Sequence, residues 1–265
     1  MTNKIKKIVF VGAGNLATQL AKALFDANYT IQAIYSHTIN SAKNLGQQVN
    51  CTFCCNDTAK LPTNADLYIY ALKDQFLEMV IQKMPPCSGI HVHTAGSLSL
   101  RVFTDNQTHT GIFYPFQTFS KSKPVCFQKI PIFIESSQND VKEILLELAH
   151  SLSDSVYELS SEDRKILHLT GVFACNFTNY LWKISEDLLQ SKQLPFQVVL
   201  PLIEETVTKL QTLRPVEAQT GPAIREDIDV MNQHLDLLQS HKDLQKIYQL
   251  LSQGIMSIKD KKDEF

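Results

Sequence analysis

A chain of 265 residues, 44% hydrophobic and 20% charged, has the composition of a soluble globular protein and the length for two domains with separate cores. Its formal net charge of −2, with no basic patch or arm in the sequence, argues against nucleic acid or an anionic membrane as partner. No segment approaches the roughly 18 apolar residues of a membrane span, and six cysteines without a secretory context point to reduced thiols in a cytoplasm.

The stretch "KIVFVGAGNLATQLAKAL" begins at Lys7. The basic residues Lys4, Lys6 and Lys7 ahead of an apolar run imitate a signal peptide, but the run stops at Val11, and Asn15, Thr18 and Gln19 break the apolar character beyond it. Ile8–Val11 reads instead as a buried strand, and Leu16, Ala17, Leu20, Ala21 and Leu24 recur at helical spacing. "TIQAIYSH" is a second strand, Ser41–Gly46 a short helix ending on glycine, and "CTFCC" a third strand. "DLYIYAL" is a fourth, followed by the helical "DQFLEMVIQKM" and the breaker Pro85–Pro86; "GIHVHTAG" is a fifth. "IPIFIES" and "SVYEL" add strands around the helical "DVKEILLELAHSL". Strands alternating with helices at this interval predict βαβ units and a parallel sheet.

Beyond Ser160 only helical patterns remain. Ser160 and Asp163 have the spacing of a capping box, and the helix they open runs about 30 residues, or about 45 Å. "PLIEETVTKLQTL", "REDIDVMNQHLDLL" and "KDLQKIYQLLSQGIMSI" are further helices, and the charged end "KDKKDEF" is expected to fray. The fold class is therefore α/β: a Rossmann-type parallel sheet over residues 1–159, then an all-helical domain over 160–265. The first long helix is apolar nearly all round in "ILHLTGVFACNFTNYLW", so it needs burial on more than one face. That predicts a homodimer built through the helical domain.

Cys51, Cys54 and Cys55 raise the question of a metal. A structural zinc site takes four ligands, usually as two close pairs, and Cys87, His91 and His93 are not spaced as the second pair. Small buried thiols on a short strand are the expectation, with no metal.

Gly12, Gly14 and Ala17 form Gly-x-Gly-x-x-Ala between the first strand and the first helix. The first glycine permits the tight turn, the second lets backbone approach a pyrophosphate, and the small third residue allows close strand–helix packing. The helix N-terminus then offers N–H groups and a positive dipole end to phosphate. Ala13, Asn15 and Leu16 line this turn, and Ala71, Leu72 and Thr94, at the ends of the fourth and fifth strands, complete the expected cofactor contacts. An acid ending the second strand would bind the ribose 2′-hydroxyl of NAD. Here Tyr35, Ser36, His37 and Thr38 stand there instead, with Lys43 downstream, so NADP is favoured over NAD.

With "HTAGS", "GIFYPFQTF", "ACNFTNYL" and "TGPAIRED…NQH" following in that order, the chain resembles Rossmann-like NADP oxidoreductases with an uncharacterised C-terminal helical domain. The wider relatives are pyrroline-5-carboxylate reductase, deazaflavin-dependent NADP reductase, prephenate dehydrogenase and the β-hydroxyacid dehydrogenases. The resemblance implies a Rossmann domain, a dimerising helical domain and a small-molecule substrate. The chain departs from the family pattern at three places. His93, Thr94, Ala95 and Gly96 stand for His-Thr-Ser-Gly, Tyr114–Pro115 for His-Pro, and Arg225, Glu226 and Asp227 for Arg-Gly-Asp. β-Hydroxyacid dehydrogenases carry a catalytic lysine four residues before an asparagine. Asn176 matches that asparagine, but Val172 occupies the lysine position.

The catalytic candidates are His93, at the carboxyl edge of the sheet, and Asn176, an amide among apolar helix residues. Gly96, Tyr114, Arg225, Asp227 and His234 are candidates for the cleft. Each also has a structural reading: a strand-end histidine bonded to backbone, an aromatic packing partner, or an Asp–His pair seven residues apart on one helix face and about 10 Å apart along it. The expected activity is hydride transfer between NADP and a small C=O or C=N compound. The alternatives are a catalytically silent dinucleotide-binding sensor or scaffold, and a subunit that acts only with another protein.

Overall fold

The computed structural model describes residues 5–258, so Lys4 and the "KDKKDEF" end lie outside the described residues. Eight strands form one sheet: β1 (Lys7–Val11), β2 (Thr30–Tyr35), β3 (Cys54–Cys55), β4 (Leu67–Tyr70), β5 (Ile90–His93), β6 (Thr110–Pro115), β7 (Ile132–Ser136) and β8 (Val156–Glu158), in the order β3-β2-β1-β4-β5-β6-β7-β8. β1 pairs in parallel with β2 on one side and β4 on the other, with Phe10 opposite Ile34 and Ile69. β1 and β4 are apolar without alternation because both faces are covered. Ile8 and Phe10 enter one core with Leu20, Leu24 and Leu45, whereas Val9 and Val11 enter the other with Leu77, Val80 and Ile81. Helices α1 (Asn15–Asp26) and α2 (Ile39–Gln48) thus cover one face and α3 (Asp74–Gln82) the other. This is the α/β Rossmann-type sheet the alternation predicts.

Four details differ from the sequence reading. β6 was hidden by Gly111 and Pro115, which look like breakers; Gly111 is needed because a Cβ there would meet Leu145 at 2.5 Å and the Glu135 carbonyl at 3.0 Å. β7 runs antiparallel to β6, Phe113 opposite Ile134, because residues 116–131 return as a loop rather than a crossover helix. Of "CTFCC" only Cys54–Cys55 is strand. α2 starts at Ile39 and runs through Gly46, where the missing side chain admits the Cys51 carbonyl and the Cys54 sulfur. Cys51, Cys54 and Cys55 are free thiols, and burial raises all three pKa values, Cys51 to about 11.

Helix α4 (Asn139–His150) packs on β6, β7 and β8. The long helix opens as expected, Ser160 Oγ accepting from the Asp163 N–H at 3.1 Å. It is not uniform: α5 (Ser161–Gly171) passes into a π-helical segment over Val172–Phe177 before α6 (Thr178–Gln190). The chain divides into two compact units, one ending at Tyr180 and the next starting at Leu181. The second contains α7 (Leu200–Lys209), α8 (Pro215–Ala218), α9 (Pro222–Arg225), α10 (Ile228–Leu237) and α11 (Lys242–Met256), with α9 against α10 and α11. Among the described residues no helix is long and apolar enough to cross a membrane.

Candidate functional site

The turn after β1 meets the steric demands that its glycines predict. Gly12 has φ +127°, and a Cβ on it would fall 2.2 Å from the Ala71 carbonyl oxygen at the end of β4. Any side chain there fails on both conformation and space. Gly14 is the opposite case: nothing lies within 4 Å of a Cβ built on it. It is the N-cap of α1, whose N-terminus has no side-chain cap and no acid in its first turn. Open space at Gly14 beside an uncapped, acid-free helix start fits a pyrophosphate. The turn sits where β2 and β4 flank β1, the switch point at which doubly wound sheets bind nucleotides.

Ala13 is buried, Asn15 is exposed and Leu16 half-buried at this helix start. Ala71 donates its N–H to the Val11 carbonyl, and Leu72 lies against the Gly12 turn. At the end of β2, Ser36 is half-buried and His37 and Thr38 are exposed; Thr38 is the N-cap of α2 without a side-chain cap bond. Burial raises the Tyr35 phenol, with smaller contributions from Cys55 and Asp57, and the Asp57 carboxylate accepts the Ala59 N–H at 3.0 Å.

At the ends of β5 and β6 a second cluster forms. His93 is fully buried. Its Nδ1 accepts the Ala95 N–H at 3.2 Å, which leaves Nε2 as the donor toward the Ser99 carbonyl at 3.4 Å. Burial, aided by the Arg164 charge, pushes its pKa down to about 3. Thr94 is buried and bonds the Tyr70 carbonyl through both its N–H and its hydroxyl. Tyr114, at the end of β6, is buried, and its hydroxyl lies 2.9 Å from His168 Nδ1. Burial, outweighing the nearby Arg164 charge, pushes this phenol up to about 12.

The helix face that meets these strands carries Arg164, His168 and Gly171, spaced i, i+4 and i+7. Arg164 is buried and bonds Glu135 on β7, the Leu98 carbonyl and Ser161 Oγ. Gly171 admits Phe116, whose ring would lie 2.9 Å from a Cβ. Gly96 likewise admits the His168 ring. Asp74, at the start of α3, accepts from the Ser97 hydroxyl. Arg164 and His168 were not singled out in the sequence; their helical spacing to Gly171 was the one local signal.

Asn176 lies on the π segment with its side chain exposed. Such segments interrupt helices at the cost of regular bonding and recur at functional sites. The remaining candidates belong to the second unit. Asp227 is not inside the helix with His234: its carboxylate caps α10 through the Val230 N–H at 3.4 Å. His234 Nδ1 pairs with the Tyr248 hydroxyl at 2.9 Å. Gly221, at φ +112°, turns the chain into α9, which ends on Arg225. Among the described residues no group of three or more His, Cys, Asp or Glu is arranged to hold a metal.

Two sequence families match the chain: NADP oxidoreductase, coenzyme F420-dependent, over residues 7–91, and a domain of unknown function (DUF2520) over 130–255. No curated protein matches. A solved structure from Bacteroides fragilis, described as a putative NADP oxidoreductase, is 44% identical over 96% of this chain and 98% of its own, with a TM-score of 0.89. A Thermotoga maritima protein (20% identity, 95% and 97% covered, TM-score 0.71) has the same fold. So has a Streptococcus pyogenes 1-pyrroline-5-carboxylate reductase (14% identity, 95% and 98% covered, TM-score 0.62). The open turn at Gly14, the Rossmann strand order and the likeness along nearly the whole chain agree, and the chain belongs to the Rossmann-type NADP oxidoreductase family whose C-terminal helical domain has no assigned function.

Proposed function

We propose that the chain is an NADP-dependent oxidoreductase that moves hydride to or from a small C=O or C=N substrate. The observation that carries this reading is the contrast within the turn: Gly12 is closed against Ala71 while Gly14 faces open space. A glycine kept only for packing would be crowded at both positions. Gly12, Ala13, Gly14, Asn15 and Leu16 would hold the pyrophosphate, and Ala71, Leu72 and Thr94 would border the dinucleotide. Ser36, His37 and Thr38, with no acid among them, supply hydroxyl and imidazole groups to a 2′-phosphate. The bound dinucleotide supplies the hydride chemistry; the protein's part is to orient it and the substrate and to exclude water.

His93 fits an orienting role, since its two ring nitrogens fix the chain from Ala95 to Ser99. The exposed Asn176 amide remains a candidate for substrate contact. Val172 in place of a lysine supports the second reading, a dinucleotide-binding sensor or scaffold without turnover. All six cysteines are free thiols, which suits a cytoplasmic protein.

Calorimetry with NADPH and NADH tests the assignment. NADPH is expected to bind at least about tenfold more tightly, and Gly14→Val to abolish binding without unfolding the chain. Tighter binding of NADH would sink the NADP assignment, and no binding of either would sink the dinucleotide reading.

A further inference from the structure

An oxidoreductase acting on C=O or C=N needs a proton source as well as a hydride source, and the expected lysine is Val172. The candidates near the ends of β5 and β6 separate on geometry. His93 is fully buried with both nitrogens on backbone. Asn176 has no titratable proton. Tyr114 is buried, held as a neutral phenol, and committed to His168. His168 is exposed, and its Nε2 has no hydrogen-bond partner among the described residues.

The ring is placed by three elements. The Tyr114 hydroxyl on β6 holds Nδ1 at 2.9 Å. Gly96, after β5, lies so close that a Cβ would fall 2.5 Å from Nδ1 and 2.9 Å from the Tyr114 oxygen. Arg164, one turn earlier on α5, is neutralised by Glu135 of β7, and Asp74 of α3 is bonded to Ser97. With Nδ1 tied, the free nitrogen is Nε2.

We propose that His168 is the catalytic residue that exchanges the substrate proton, with Tyr114 as the residue that positions its ring. This rests on the oxidoreductase reading above. In the reducing direction, hydride from the reduced nicotinamide dinucleotide bonds to the carbon of C=O or C=N, and the π pair moves onto oxygen or nitrogen. That atom takes the proton from Nε2 of protonated His168, so one N–H bond breaks as the O–H or N–H bond forms. The ring is left neutral, its Nδ1–H donating to the Tyr114 hydroxyl. Oxidation runs the same transfer in reverse.

Proton NMR of the ring Cε1–H, assigned to His168 by its loss in His168→Gln, tests this on the full chain. NADP⁺ should lower the His168 titration midpoint relative to NADPH by about half a pH unit or more, because a cationic nicotinamide repels the imidazolium. The nicotinamide-free analogue 2′-phospho-ADP-ribose should show no such difference from NADPH beyond a small shift. Tyr114→Phe, checked for folding by circular dichroism, should move the midpoint and broaden the ring's orientation. If NADPH binds by calorimetry but both redox forms leave the midpoint equal, the His168 assignment is overturned. If NADPH does not bind at all, the oxidoreductase reading fails and takes this assignment with it.

Discussion

The two units use their apolar residues in opposite ways. In the first, Ile8, Phe10, Leu20, Leu24, Leu67 and Ile69 are fully buried on one face of a sheet whose other face buries Val9, Val11 and Leu77. In the second, Ala223 and Met231 are the buried apolar residues among those described, while Leu202, Leu237 and Leu250 are 68%, 79% and 70% exposed. The helices themselves are not less amphipathic in kind: α11 places Ile247, Leu250, Leu251 and Ile255 at helical spacing just as α1 places Leu16, Leu20 and Leu24. What differs is the partner. A sheet offers each covering helix a ready apolar surface, whereas short helices linked by Gly and Pro turns leave their stripes uncovered within one chain. Large exposed apolar patches are where proteins in general meet partners.

The largest effect that tests this contrast is on assembly. We propose that the second unit pairs with a second copy, giving a mass twice the 30.0 kDa of the chain in sedimentation at micromolar concentration. Replacing Leu202, Leu237 and Leu250 together by Glu should yield a folded 30.0 kDa species. At about 1.5–3 kcal/mol per buried leucine, the loss is on the order of 5 kcal/mol, enough to weaken pairing at least about a thousandfold. A wild-type chain that sediments as a monomer ends the idea, and the exposed leucines would then need another partner.

Acid should strike the first unit selectively. His91 is buried against Tyr68, with Nδ1 on the Tyr70 hydroxyl at 2.9 Å and Nε2 unpaired. Burial lowers its pKa to about 4, and that of His93 to about 3. Both stay neutral in the fold while the unfolded chain takes up protons near pH 6.5. Between pH 6.5 and about 4 the unfolded state therefore binds more protons, and stability falls as pH falls. The loss is roughly 2 kcal/mol per histidine by pH 5. Denaturant midpoints at pH 7 and pH 5, followed by Tyr fluorescence or near-UV dichroism of the sheet, should show this slope, and His91→Gln should flatten it by about half. An unchanged slope would mean that His91 is protonated in the fold.

What could be read from the sequence was what depends on neighbours along it. The Gly12–Gly14 turn, the Ser160 cap and the end of β2 without an acid are local patterns, and each is where the spacing put it. What escaped is set by distant partners. Gly111 and Pro115 disguised β6 because the reason for the glycine lies in Leu145 and Glu135. The Tyr114–His168 pair spans 54 residues and the Arg164–Glu135 pair 29, so no periodicity joins them. The π segment around Asn176 has no signature of its own: Val172–Phe177 reads as ordinary helix in the sequence, and the wider turn appears only in the backbone, with the Thr178 hydroxyl bonding back to the Phe173 carbonyl at 3.0 Å.

The smallest effect asks to which unit the start of the long helix belongs. Sequence pattern begins the helical domain at 160, yet α5 is tied to the sheet by Arg164 on Glu135, His168 on Tyr114 and Gly171 on Phe116. Ser160 caps this helix through the Asp163 N–H, and its hydroxyl also reaches the Asp163 carboxylate at 2.6 Å. Ser160→Ala removes both bonds and should cost about 1 kcal/mol. If α5 folds with the sheet, that loss appears in the transition of the first unit, the one that carries the acid-sensitive His91 and His93. If α5 folds with the later helices, it appears in the transition that depends on protein concentration. Calorimetric scans of the wild type and Ser160→Ala at two concentrations separate the cases, and the two side-chain bonds to the sheet, with Phe116 packed against Gly171, predict the first.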